Sequence, residues 1–206
     1  MEKLRIHEYF LETIQGEGFW SGCPADFIRL WGCPVGCSFC DTGYAQQDNN
    51  GKSIPYELKS IDSLVDAMRS PLTVITGGEP MIHKELPSLV SALIERDRKV
   101  SIETSGSAWQ EVDQEAWITL SPKEHKSPRF PVLENVWSRA NEIKIVIEDG
   151  TEPNHYREHL LEKSCPIYLQ PEWSMRERTT PLAIALLKAN PTYRLSLQTH
   201  KIIGVS

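Results

Sequence analysis

Apolar residues fall into short aliphatic runs, and these runs alternate along most of the chain with stretches of helical spacing. Seven runs read as strands: 25–31, 72–76, 99–103, 117–121, 142–147, 167–170 and 193–198. Between the first two, Leu64, Val65 and Met68 recur at helical spacing over 61–69. Over 85–97, Leu86, Leu89, Val90, Leu93 and Ile94 share one helical face. Asn154 is placed to cap a helix running to Lys163, and Thr180-Pro181 reads as the start of a helix ending near Asn190-Pro191. Residues 1–24 read as a lead-in before the first strand. Their Gly16-Glu17-Gly18 is either a loop whose backbone comes close to a ligand or a plain turn.

Strands alternating with helices predict a parallel α/β sheet. The gap from Glu103 to Trp117 is too short for a full helix, and 122–141 has room for little more than one short helix. The expected fold is therefore an incomplete, abbreviated (β/α) barrel, with residues 1–206 forming one domain. Polar or glycine-rich residues follow nearly every strand: Gly77-Gly78-Glu79-Pro80, Glu103-Thr104-Ser105-Gly106, Ser121-Pro122-Lys123, Gln170-Pro171 and Gln198-Thr199-His200. Parallel sheets and barrels carry their sites on that edge. Arg29 interrupts an apolar strand, so it needs an anionic partner, either a structural carboxylate or a ligand's.

Charge and composition narrow the class. A net charge of −6 disfavours broad binding to a phosphate backbone but leaves room for a small anionic substrate. No apolar run approaches the roughly 20 residues of a membrane span, and the N-terminus lacks the apolar core of a signal peptide, so the cytoplasm is the expected location. Five cysteines, an odd number with three clustered, point to metal in a reducing compartment rather than to disulfides.

The cluster is Cys33-x₃-Cys37-x₂-Cys40, directly after the first predicted strand. Three thiolates at this spacing can hold three irons of a [4Fe–4S] cluster and leave the fourth open. A structural zinc site completed by Cys23, His7 or a distant residue is the main competing reading, and inert or redox-sensing thiols are a third. Cys165 stands alone in an apolar segment and reads as a core residue.

The cysteine loop followed by Gly77-Gly78-Glu79-Pro80 after the next strand resembles the radical S-adenosylmethionine (SAM) superfamily. That resemblance favours iron–sulfur over zinc. It implies that SAM occupies the open iron and is cleaved to a 5′-deoxyadenosyl radical. Further motifs are similar to those of the 7-carboxy-7-deazaguanine synthase family and cover essentially the whole chain. They are Ile14-Gln15-Gly16-Glu17-Gly18, Phe27-Ile28-Arg29-Leu30, Cys40-Asp41-Thr42, Glu103-Thr104-Ser105-Gly106, Ser121-Pro122-Lys123, Leu169-Gln170-Pro171 and Leu197-Gln198-Thr199-His200-Lys201.

The family resemblance implies conversion of 6-carboxy-5,6,7,8-tetrahydropterin to 7-carboxy-7-deazaguanine with loss of ammonia, on the route to queuosine and other 7-deazapurines. It implies that Cys33, Cys37 and Cys40 bind the cluster. Gly78, Ser121, Pro122 and Lys123 would contact SAM, with Glu79, Glu103, Ser105 and Gln170 nearby. Ile14, Gln15, Gly16, Arg29, Thr76 and His200 would face the pterin, and Thr42 would ligate Mg²⁺. An electron donor such as flavodoxin or ferredoxin and a homodimer are also implied, with no role for nucleic acid or membrane. Residues 46–53 match no motif. Two alternatives remain at this point: a glycyl-radical activase acting on a protein partner, and a non-enzymatic metal-binding module.

Overall fold

The computed structural model describes residues 2–37, 40 and 54–205. Among these, nine strands form one open sheet: β1 (Lys3–Ile14), β2 (Pro24–Leu30), β3 (Glu57–Ser60), β4 (Leu72–Gly77), β5 (Lys99–Thr104), β6 (Trp117–Leu120), β7 (Glu142–Ile147), β8 (Ile167–Pro171) and β9 (Tyr193–Leu195). Their order is β3-β1-β2-β4-β5-β6-β7-β8-β9. From β2 to β9 every pair is parallel. The helices are α1 (Ile61–Ala67), α2 (Leu86–Ile94), α3 (Glu134–Arg139), α4 (Glu152–His155), α5 (Arg157–Leu161), α6 (Arg176–Ala189) and α7 (Thr199–Ile203). The expected incomplete barrel is thus an open sheet with no closing strand pair, and its helices are few and short.

Two strands depart from expectation. Residues 3–14 are a long strand rather than a lead-in loop, and β3 is an added four-residue edge strand; both run antiparallel to their neighbours. Three boundaries differ as well. Asn154 lies inside α4 instead of capping a helix. Pro181 lies inside α6, which begins at Arg176. The last strand stops at Leu195. The early start of α6 has a visible cause: the Glu172 carboxylate accepts from the backbone N–H groups of Ser174 and Met175, each at 2.9 Å, and fixes the turn before the helix.

Period-two alternation gives each parallel strand two different faces. One face is apolar and packs on the helices: Ile28 and Leu30, Ile75, Ile102, Ile118 and Leu120, Ile143, Ile145 and Ile147, and Leu169, all buried. Against it lie Leu86, Leu89, Val90 and Leu93, the i, i+3, i+4, i+7 stripe of α2. Each such side chain contributes about 1.5–3 kcal/mol on burial. The opposite face is polar toward the strand ends. It carries Arg29 paired with Thr76, Glu103 with Thr119, Lys144 with Tyr168, and Val146 with Gln170. A buried face so rich in polar groups marks the interior as a site rather than a second core.

The antiparallel β1 places the connection 15–23 at the opposite edge, where the parallel strands begin, because Ile14 pairs with Pro24. Phe19 stacks on Trp117, the first residue of β6, with ring centroids 4.5 Å apart, and Trp20 packs edge-on to both rings. Ala25, Leu72 and Val74 complete this apolar floor.

Candidate active site

A cavity of about 290 Å³ opens above that floor. Its lining draws on the floor loop (Gln15, Glu17), the interior face (Phe27, Arg29, Thr76, Lys144, Val146) and the strand ends (Gly78, Glu103, Ser105, Ser121, Lys123, Gln170). The cysteine loop (Cys33, Cys37, Cys40) and the C-terminal segment (Gln198, His200, Lys201) complete it.

Backbone bonds hold the cysteine loop against the glycine turn. Gly78 N–H donates to Leu30 O at 3.1 Å and Glu79 N–H to Gly32 O at 2.9 Å. A Cβ at Gly78 would run into Gly32 O and stand 2.9 Å from Cys33 Cβ, so only glycine allows this approach. All three cysteines are free and partly buried. Burial pushes the Cys33 thiol up to about 11 and raises Cys37 as well. Three soft donors on one loop suit a cationic metal centre that takes thiolates.

Glu79 stands behind the wall rather than on it. Its buried carboxylate accepts from Met81 N (3.0 Å), Thr104 Oγ1 (2.7 Å), Ser105 N (2.8 Å) and Ser105 Oγ (2.5 Å), tying the ends of β4 and β5 together. Gly16 likewise does not line the cavity; its carbonyl accepts from Thr199 N and Oγ1 at 3.1 and 3.0 Å. Pro122 is buried beside the lining residues Ser121 and Lys123. Thr42 lies outside the described residues, as does the unassigned stretch 46–53.

The centre of the cavity is a buried ion triad that the sequence reading did not single out. Lys144 Nζ lies 2.5 Å from Glu17 Oε2 and 2.7 Å from Glu103 Oε2, with its side chain only 5% exposed. Burial works against the lysine's charge, but Glu103 and Glu17 outweigh it and hold the ammonium above the ordinary lysine value. Burial likewise works to raise Glu17, yet Lys144, Gln198 and His200 pull it down to about 2. Glu103 is pushed up by burial, which Lys144 only partly offsets. Two carboxylates on one lysine leave one net negative charge. Gln15 Nε2 donates to Glu103 at 3.3 Å and Gln198 Nε2 to Glu17 at 2.7 Å, fixing the rim of the triad. A charged residue inside the apolar run 142–147 was the signal available in the sequence.

Cations surround the rest of the space. Arg29 Nε is held by Glu8 at 2.8 Å, so its guanidinium is oriented while it lines the cavity. Lys123 Nζ donates to Ser121 O (2.8 Å) and Oγ (2.5 Å), and burial lowers its pKa. The cavity can thus take a small polar molecule carrying an anionic group, next to a three-thiolate loop.

Comparison with known proteins agrees with this arrangement. Residues 30–117, from the end of β2 to the start of β6, match the radical SAM superfamily. The 7-carboxy-7-deazaguanine synthase of Escherichia coli is 36% identical over 98% of each chain. That of Synechocystis is 35% identical over 94% of this chain and 89% of its own. The crystal structure of QueE from Escherichia coli superposes with a TM-score of 0.81 at 33% identity, covering 95% of this chain and 93% of that one. Since likeness at this level runs the full length and includes the fold that builds the cavity, the chain belongs to the 7-carboxy-7-deazaguanine synthase family of radical SAM enzymes.

Proposed function

We propose that this chain is a lyase that converts 6-carboxy-5,6,7,8-tetrahydropterin to 7-carboxy-7-deazaguanine with release of ammonia, in 7-deazapurine biosynthesis. The observation that carries the reading is convergence: most of the family's motif residues, scattered from Ile14 to His200, line one cavity together with the three cysteines. Cys33, Cys37 and Cys40 would hold a [4Fe–4S] cluster, and Gly78, Ser105, Ser121, Lys123 and Gln170 would receive SAM. When bound, these two groups supply one-electron chemistry and hydrogen abstraction.

The chain's own part is binding, orientation and exclusion of water. Arg29, held by Glu8, would take the pterin carboxylate. Gln15, Thr76 and His200 would bound the pterin ring, and the Glu17–Lys144–Glu103 triad would supply fixed polar partners without loose protons. Phe19, Trp20 and Trp117 pack together beneath the floor loop. Mg²⁺ on Thr42, an electron donor such as flavodoxin or ferredoxin, and a homodimer belong to the same reading. Among the described residues no helix is long and apolar enough to cross a membrane. Full-length relatives carrying the synthase name favour this reading over a protein-directed activase.

The test is anaerobic reconstitution followed by incubation with SAM, reductant and 6-carboxytetrahydropterin. The expected result is a product with the mass of 7-carboxy-7-deazaguanine. SAM cleavage without conversion of the pterin would overturn the substrate assignment.

A further inference from the structure

A second polar cluster lies outside the cavity lining, on the same sheet edge. His125 follows β6, Glu148 follows β7, and Glu152 opens α4. The His125 side chain is 8% exposed and that of Glu148 is 13% exposed. His125 Nε2 and Glu148 Oε1 face each other at 4.0 Å, and neither of these buried atoms has a hydrogen-bond partner among the described residues. That gap is too long for a hydrogen bond. It fits two ligands of one ion, whose separation cannot exceed about 4.2 Å for bonds near 2.1 Å. One ligand atom from each of the three residues lies within 4.8 Å of the other two, so gathering all three at the roughly 3.0–3.4 Å spacing of octahedral or tetrahedral ligands takes a closure of up to about 1.4–1.8 Å.

The surroundings are organised as metal sites are. His125 Nδ1 lies 2.5 Å from the hydroxyl of the fully buried Tyr156, which fixes the ring and aims Nε2 at Glu148. The Glu152 carboxylate is pinned by the N–H groups of Glu148 and Asp149 on Oε1 and of Gly150 on Oε2, at 2.7–2.9 Å, which leaves one lone pair, on Oε2, for an ion. Lys126 Nζ stands 3.5 Å from Glu148 Oε1 as the present counter-charge. It is long, half-exposed and can swing away. One imidazole and two carboxylates suit a divalent first-row transition metal better than Mg²⁺ or Ca²⁺.

We propose that His125, Glu148 and Glu152 form a divalent transition-metal site, separate from the cysteine loop, that clamps the ends of β6 and β7 beside the cavity. Water completes the coordination. The bound ion ties the 121–126 segment, which carries the lining residues Ser121 and Lys123, to the turn entering α4.

Mn²⁺ is the probe, added to cluster-loaded, substrate-free enzyme so that the cysteines are occupied. Loss of the free-Mn²⁺ electron paramagnetic resonance signal should reveal about one ion per chain, displaced by Zn²⁺, and Tm should rise with Mn²⁺. Glu148→Gln and His125→Gln should each weaken Mn²⁺ binding by at least about tenfold and abolish the rise in Tm, with iron content unchanged. No binding at millimolar Mn²⁺, or equal binding by both variants, overturns the proposal. Should either variant fail to fold, anomalous diffraction from Mn²⁺-soaked crystals of the parent decides: density between His125 Nε2 and Glu148 supports the site, and its absence there overturns it.

Discussion

Lys144 is the residue on which the interior depends most. It stands against two largely buried carboxylates, Glu17 from the floor loop and Glu103 from β5. Removing the cation leaves like charges facing each other away from water, which costs about 3–5 kcal/mol when a buried pair is broken. Lys144→Met should therefore lose that much stability in denaturant unfolding at pH 7. The loss should shrink toward acid pH, because protonating one carboxylate relieves the repulsion. An equally stable variant would mean that solvent already screens the triad. Arg29 acts at the same scale but in binding. Its Nε is committed to Glu8; a lysine cannot both keep that bond and fork onto a carboxylate. Arg29→Lys should raise the KM for pterin roughly 10- to 100-fold, as expected for a lost charged hydrogen bond, and leave SAM binding intact. An unchanged KM with a lowered Tm would assign Arg29 to the ion pair alone.

Among the elements, β1 is the instructive one. Its alternation begins well, with Leu4 and Ile6 buried, but the pairing with β2 shifts between Ile6 and Glu8 and again between Phe10 and Thr13. Each shift moves the next side chains to the other face, so no single period survives in the sequence. The second irregularity puts Glu12 at φ 54°, and the fully buried Asp26 holds it in place. The Asp26 carboxylate accepts from Glu12 N (2.8 Å), Ser70 N (2.6 Å), Ser70 Oγ (2.9 Å) and Arg69 N. Burial works to raise its pKa, and these bonds outweigh burial and set it below the ordinary 3.8. A depressed carboxylate stabilises the fold fully above its unfolded value and loses that contribution as pH falls through the folded one. Asp26→Asn should thus cost about 2–4 kcal/mol at neutral pH, and the difference from the parent should close below pH 3.8. A constant difference across that window would assign the effect to packing. The parallel strands β2 and β4 to β8, buried on both faces, were legible as compact apolar runs, and so were the site motifs at their ends. The triad was not, because Lys144 lies 127 residues from Glu17 and 41 from Glu103. Nor was β3, whose four residues carry too little pattern.

At the scale of the molecule, the open sheet is closed by loops instead of strands. The floor loop after β1 meets the segment after β9, across the gap that a complete barrel would fill with strand pairing. Gly18 N–H donates to Ser196 Oγ at 3.0 Å, Thr199 N–H to Gly16 O at 3.1 Å, and Gln198 Nε2 to Glu17 at 2.7 Å. The His200 ring lies so close over Gly16 that a Cβ there would collide with it. The two segments hold each other, and both line the cavity. Among the described residues the cysteine loop takes no part in this seam; it is anchored to the glycine turn through Gly78 and Glu79. Binding of the cluster and closure of the substrate space should therefore separate. A chain ending at Leu195 should keep the iron content of the parent after reconstitution. It should fail to convert pterin, and its Gly18 amide, which loses Ser196 Oγ, should exchange far faster than in the parent while the amides of β4 and β5 keep their protection. Loss of iron together with turnover, or unchanged protection at Gly18, would show that the floor loop and the cysteine loop form one cooperative unit and that the seam is not what holds the cavity shut.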